Sequence, residues 1–113
     1  MLDTIGSVGS DIEKYLDLVS LRQQLVASNI ANADTPGYKT RDIDFRSEFA
    51  AALQGSTSVQ VREVTGLTVK SDGNNVSLDR EARLLAETAL RFRLGIELLK
   101  GEIEDIRKAL QEP

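Results

Sequence analysis

The sequence predicts a mainly α-helical fold: two long terminal helices in an antiparallel coiled-coil-like pair, joined by an irregular middle segment that holds a candidate β-hairpin. Three observations predict it. Apolar residues recur at alternating spacings of three and four near both ends of the chain, a Pro-Gly pair stops the first of these runs, and the stretch between them turns to Gly, Ser, Thr and Val.

Residues 1–9 hold Gly6, Ser7 and Gly9 and are expected to be flexible. From Ser10 or Asp11, either of which can cap a helix, Ile12, Leu16, Val19, Val26, Ile30 and Ala33 trace one apolar seam. A second stripe of Leu18, Leu21 and Leu25 lies on the other side, so the helix over 10–34 is expected to be covered on two faces. Pro36 holds Thr35 out of α geometry and Gly37 suits a type II turn, which ends the helix near Asp34.

Residues 35–53 read as the turn, an extended segment, and a short helical stretch through Ala50–Leu53. Residues 54–76 form either a linker ordered by neighbours or a small hairpin, pairing 58–61 with 67–70 around Thr65-Gly66. The helix over 77–111 carries the cleanest pattern, with Leu78, Ala82, Leu85, Ala89, Phe92, Ile96, Leu99, Ile103, Ile106 and Leu110 in one unbroken seam. Ser77 can cap it, Glu87 with Arg91 and Glu104 with Lys108 can pair along it, and Gly95 and Gly101 fall on its outer side.

Antiparallel packing would bring the Ile30–Ala33 end near Ala82 and Ala89, whose small side chains permit close approach. A C-terminal helix of about 50 Å against one of roughly 36 Å would overhang its partner. Each uncovered Leu or Ile forgoes roughly 1.5–3 kcal/mol of burial, so the overhang and the second stripe together predict assembly with other helices.

Composition narrows the function classes. With 113 residues the chain is a single domain, and its 14 basic and 18 acidic residues leave no basic field for a phosphate backbone. No cysteine and no histidine are present, which removes thiolate metal sites, disulfides and the commonest general base. Asp42 and Asp44 could suggest a Mg²⁺ site, yet neither further oxygen ligands nor a phosphate-binding loop accompanies them, so a solvated pair or an intersubunit partner for Arg is expected. Tyr38, Phe45, Phe49 and Phe92 read as packing residues, and no catalytic, cofactor or metal site is expected. The start lacks a charged n-region and an apolar h-region, so export would need a machine that reads no cleaved signal peptide.

The run Ala27-Ser28-Asn29-Ile30-Ala31-Asn32-Ala33-Asp34-Thr35-Pro36-Gly37-Tyr38-Lys39 resembles the signature of the flagellar axial proteins, which make rod, hook and hook-junction parts. Its continuation Thr40–Phe45 and the Asn74–Glu81 stretch are similar to the proximal rod members of that family. The resemblance implies a single rod-type domain in the basal body of a bacterial flagellum, in the periplasm, delivered by the flagellar type III export apparatus. It implies as partners the other rod proteins (FlgC, FlgF, FlgG), the FliE junction protein, the export gate and further copies of the chain. Asn29, Ile30, Asn32, Asp34, Thr35, Pro36, Gly37 and Tyr38 become the assembly signature, and Phe45 and Phe49 resemble the pattern by which the export gate recognises rod and hook subunits. On spacing alone Asn29 and Asn32 read as exposed helix residues; with the resemblance they become candidates for intersubunit hydrogen bonds. A discrete dimeric coiled-coil adaptor or secretion chaperone is the alternative that periodicity alone allows.

Overall fold

A computed structural model describes residues 2–111, and side chains from Gly6 onward. The order is α1 (Leu2–Ala31), β1 (Arg41–Asp42), α2 (Phe45–Leu53), β2 (Arg62–Glu63) and α3 (Leu78–Gln111). The molecule is a rod of 69 × 24 × 17 Å.

The two long helices run antiparallel: Gly9 faces Glu102, Leu16 meets Gly95, and Asn29 bonds to Glu81. This register carries α1 along almost the whole of α3, 30 residues against 34. The expected overhang is therefore absent, because helix runs through 2–9, within the 1–9 segment that was expected to be flexible. Met1 lies outside the described residues. At its other end α1 stops at Ala31 rather than near Asp34, since the Asn32 N–H is shared between the carbonyls of Ser28 and Asn29 and the chain tightens into turns.

The packed face of α3 is not the predicted seam. Glu81, Leu84, Thr88 and Gly95 are the buried residues of this helix, and they lie about a quarter turn from the Leu78–Leu110 stripe. Leu78 is 57% exposed, Phe92 43% and Leu110 74%, with Ala82, Leu85, Ala89 and Ile103 exposed as well. Only Ile96, Leu99 and Ile106 are half-buried. Gly95 explains the choice of face. A Cβ there would stand 2.5 Å from Leu16 Cδ2 and 3.3 Å from Tyr15 Cδ2, so this glycine belongs to the inner side and admits α1 at close range. Gly101, by contrast, opens on empty space. Glu87 pairs with Arg91 at 3.0 Å, whereas Glu104 with Lys108 is not among the ion pairs of the described residues.

The second stripe of α1 is covered by the chain itself. Leu18 and Val19 form the core with Ile43 and Phe45, flanked by Tyr15, Leu21, Leu25, Phe49, Ala52 and Val61. Tyr15 meets Phe45 and Phe49 edge-on at 5.6 and 5.5 Å, and the Arg91 guanidinium lies 4.5 Å from the centre of the Phe45 ring. This middle segment packs along one side of the helix pair. Asp44 starts α2, accepting from the N–H and Oγ of Ser47, so the helix begins five residues before Ala50. No 58–61 with 67–70 hairpin forms. Instead β2 reaches back to β1, Arg41 opposite Glu63 and Asp42 opposite Arg62, because β1 is the edge held on the core by Ile43.

Candidate functional site

Two features could carry function: the polar end of the molecule, where the signature folds, and the uncovered stripe of α3. At the polar end, Thr35-Pro36-Gly37-Tyr38 forms the type II turn, with Gly37 at φ 74° and the Tyr38 N–H donating to the Thr35 carbonyl at 3.2 Å. A second turn, Lys70–Gly73, leans on it. Gly73 has φ 88° and a Cβ there would lie 3.3 Å from Gly37 Cα, so two glycine backbones touch where no side chain fits. The Gly37 N–H donates to the Asp72 carbonyl, and Lys70 Nζ donates to the Ala33 carbonyl, two residues past the end of α1.

Asn29 is the hub. Its Nδ2 donates to the Arg41 carbonyl at 2.8 Å and to Glu81 Oε1 at 2.6 Å, while its Oδ1 accepts from the Tyr38 hydroxyl at 2.9 Å and the Arg41 N–H at 3.1 Å. All four hydrogen-bonding positions of the amide are thus occupied within the chain. The expectation that Asn29 is exposed, or bonds to another subunit, is corrected: the residue is 1% exposed and has no position left to offer. Asn32 caps locally, donating to the Ser28 carbonyl and accepting from Thr35 Oγ1. Ile30, Asp34, Thr35, Pro36 and Gly37 are exposed and Tyr38 is half-buried.

From Asn29 the network runs on through charge. Glu81 Oε2 accepts from Arg80 at 2.7 Å, Arg80 donates to Asp42 at 2.6 Å, and Arg22 grips both oxygens of Asp42 at 3.1 Å. Two cations alternate with two anions, joining α1, β1 and α3. Burial pushes the Asp42 pKa up, but the hydrogen bonds from Arg22, the Ile43 N–H and Arg80 outweigh it and hold this carboxyl below the usual carboxylate range. Burial likewise works against the Arg80 charge, and its bonds to Glu81 and Asp42 outweigh that, raising its pKa. Asp42 is neither a solvated partner of Asp44 nor an intersubunit acceptor, since its oxygens are engaged inside the fold.

Sequence reasoning missed most of this network. Asn74, fully buried, donates to the Asn32 and Thr35 carbonyls at 2.9 and 2.8 Å, and Asn75 accepts from the Thr40 N–H at 2.7 Å. The available signal was the Asn74–Glu81 stretch itself: two asparagines and an Arg-Glu pair beside an apolar helix start, which rewards a search for buried partners. Phe45 and Phe49 lie on one face of α2 in the core region, Phe45 buried and Phe49 half-buried.

The α3 stripe is the other feature. It lies on the flank away from α2, while Leu90, Leu94 and Leu98 occupy the opposite flank, the last two lining an apolar groove of about 300 Å³ with Val8, Ile12, Tyr15 and Phe49. Among the described residues no His, Cys, Asp or Glu cluster has the arrangement of a metal site, and no helix is long and apolar enough to cross a membrane.

Comparison with known proteins fits this architecture. The family model described as "Flagella basal body rod protein" matches residues 19–39, the segment from the centre of α1 through the type II turn. The chain is 33% identical to the flagellar basal body rod protein FlgB of Escherichia coli K12 over 98% of both chains, and equally to that of Salmonella typhimurium. With FlgB of Cereibacter sphaeroides it shares 34% over 85% of this chain and 88% of the relative. With the signature turn, the paired terminal helices and near full-length identity in agreement, the chain belongs to the FlgB family of flagellar basal body rod proteins.

Proposed function

We propose that the chain is a structural subunit of the flagellar rod, built into the proximal part of the basal body by helix packing. One observation carries the reading: most of the apolar stripe from Leu78 to Leu110 stays exposed, with only Ile96, Leu99 and Ile106 half-buried, although the polar end is satisfied internally. A seam of that length is the form of a helix awaiting other helices. In the assembled rod such packing would enclose the export channel and transmit torque, and the work is contact rather than chemistry.

The site of action is the rod within the periplasm, reached through the flagellar type III apparatus without a cleaved signal peptide. Its neighbours are other axial proteins, with FlgC, FlgF, FlgG and FliE the specific candidates. Phe45 and Phe49 serve export-gate recognition. Because Phe45 is buried beside Tyr15 in the folded chain, the gate reads it before folding.

The test is a double substitution on the stripe, Leu85→Glu with Phe92→Glu, in a flagellated host lacking its own copy. Both residues are exposed, so circular dichroism of the purified chain should be unchanged, whereas burying unpaired carboxylates in an assembly costs several kcal/mol. The expected result is an exported, helical chain and no completed rods. Normal rods containing the variant would overturn the proposal.

A further inference from the structure

We infer that the Asp72–Gly73 peptide is a modification site. It isomerises spontaneously to isoaspartate in the unfolded chain, the folded turn holds it closed, and an isomerised chain cannot seat that turn on the signature. The site belongs to the chain's own fold and stands apart from the rod reading.

Of the eight glycines, Gly73 alone follows an Asp or Asn. Chemistry at such a pair is intramolecular, between groups already joined by the chain. The Gly73 backbone nitrogen, with no side chain beside it to crowd the approach, attacks Cγ of Asp72. A C–N bond forms, and the carboxyl hydroxyl leaves with the amide proton as water. The product is a five-membered imide. Water then adds to one of its two carbonyls: opening at Cγ restores aspartate, whereas opening at the α-carbonyl leaves the chain running through Cγ, one backbone carbon longer, with a free carboxylate on Cα. No oxidant or cofactor is consumed.

The fold requires this labile pair. Gly73 has φ 88°, and a Cβ there would lie 3.3 Å from Gly37 Cα, so both the conformation and the space call for glycine. Asp72 Oδ1 accepts from the Asn74 N–H at 2.9 Å, beside the buried amide that donates to the Asn32 and Thr35 carbonyls.

The same contacts keep the reacting atoms apart. The Gly73 N–H, whose nitrogen is the nucleophile, donates to the Lys70 carbonyl at 2.9 Å, and the Lys70 N–H donates to the Asn74 carbonyl at 2.8 Å, closing a three-residue hairpin loop around the pair. The Asp72 carboxylate is drawn onward to Asn74. On the two sides of the peptide, the Asp72 carbonyl accepts from the Gly37 N–H at 2.9 Å and the Gly73 carbonyl from Lys39 Nζ. Asp72 is exposed, so it is this bonding rather than burial that protects the pair. Imide closure has to turn a peptide anchored at both carbonyls, and it therefore waits for local opening. After isomerisation the extra backbone carbon shifts Gly73 off Gly37 and moves the carboxylate away from the Asn74 N–H, so the contacts that dock the turn are lost together.

The test compares the purified chain in native buffer, its helix content checked by circular dichroism, with the same chain in urea at neutral pH. Isoaspartate is followed by enzymatic methyl labelling and located by fragmentation mass spectrometry. Expected is accumulation at residue 72 in urea, slowed by Gly73→Ala, and a rate lower by at least about tenfold in the folded chain. Lys39→Met, which removes one anchor, should raise the folded-state rate severalfold and leave the rate in urea unchanged. The isomerised chain, separated by ion exchange and refolded, should show a lower urea midpoint than the unmodified chain. Absence of isoaspartate at residue 72 in urea overturns the site. Equal rates in buffer and urea, or a folded-state rate unmoved by Lys39→Met in a chain of native helix content, overturn the protection by the turn, and equal midpoints overturn the loss of docking.

Discussion

The two ends of α3 obey different rules. At the start of the helix, Arg80 and Glu81 are bound into a closed network with Asn29, Asp42 and Arg22, and every polar position of Asn29 is taken. Farther along, from Leu85 to Leu110, large apolar side chains stand in solvent while a glycine occupies the closest helix contact. The first region is specified by the chain alone and behaves like the interior of a finished protein. The second is the surface that the proposed rod packing would cover. Placing the locked network at the end that carries the turns fixes the angle and register of both helices, so that the open stripe is presented in one geometry.

The largest break in this contrast should come from Glu81→Ala. Glu81 is fully buried, and its removal leaves Arg80 short of a partner and one Asn29 donor unsatisfied, at a cost of about 3–5 kcal/mol. Urea denaturation followed by circular dichroism should show the midpoint fall sharply or the chain unfold outright; an unchanged midpoint would mean that the network does not hold the helices.

Acid should weaken the same end. Asp42 has a folded pKa below its ordinary value of 3.8, so its contribution to stability is present above that pH and is lost as pH falls through the folded pKa. Denaturation midpoints should be flat from neutral pH down to about pH 5 and decline below pH 4. The Asp42→Asn variant should show a smaller decline over that interval.

Gly95→Ala probes the shaft. Alanine gains up to ~1 kcal/mol of helix propensity, but its methyl meets Leu16 Cδ2 and Tyr15, and forcing them aside costs about 1–3 kcal/mol. A net loss of roughly 1 kcal/mol is expected by thermal or urea unfolding, and Gly101→Ala, in open space, should instead stabilise slightly. The smallest effect on the isolated chain should come from Phe92→Ala, within about 0.5 kcal/mol, because this ring is exposed. The contrast sharpens if that near-neutral change still reduces rod assembly, measured as motility.

Much of the fold was legible in the residues. The 3–4 apolar rhythm marked both long helices, and Pro36-Gly37 marked the turn between α1 and the middle segment, because such signals act through local backbone geometry. Which face of α3 points inward was not legible. Apolar counting selects Leu78, Leu85 and Phe92, whereas the buried residues of α3 are Glu81, Leu84, Thr88 and Gly95, of which Glu81 and Gly95 meet α1 through Asn29 and Leu16. The pairing of β1 with β2 was hidden for a similar reason: strands this short follow the core beneath them rather than their own alternation.

The candidate site divides in the same way. The signature run and the Asn74–Glu81 stretch could be singled out as sequence, and so could the stripe as a long apolar run. That Asn29 is satisfied within the chain, and that Asp42 joins Arg22 to Arg80 across residues far apart in sequence, are facts of three-dimensional proximity. Neighbours a few positions apart therefore encode the set of elements, their turn and the existence of a long apolar stripe. The tertiary structure alone decided which stripe was buried and which left open, because a buried ion network and one close glycine contact set the rotation of α3 against α1.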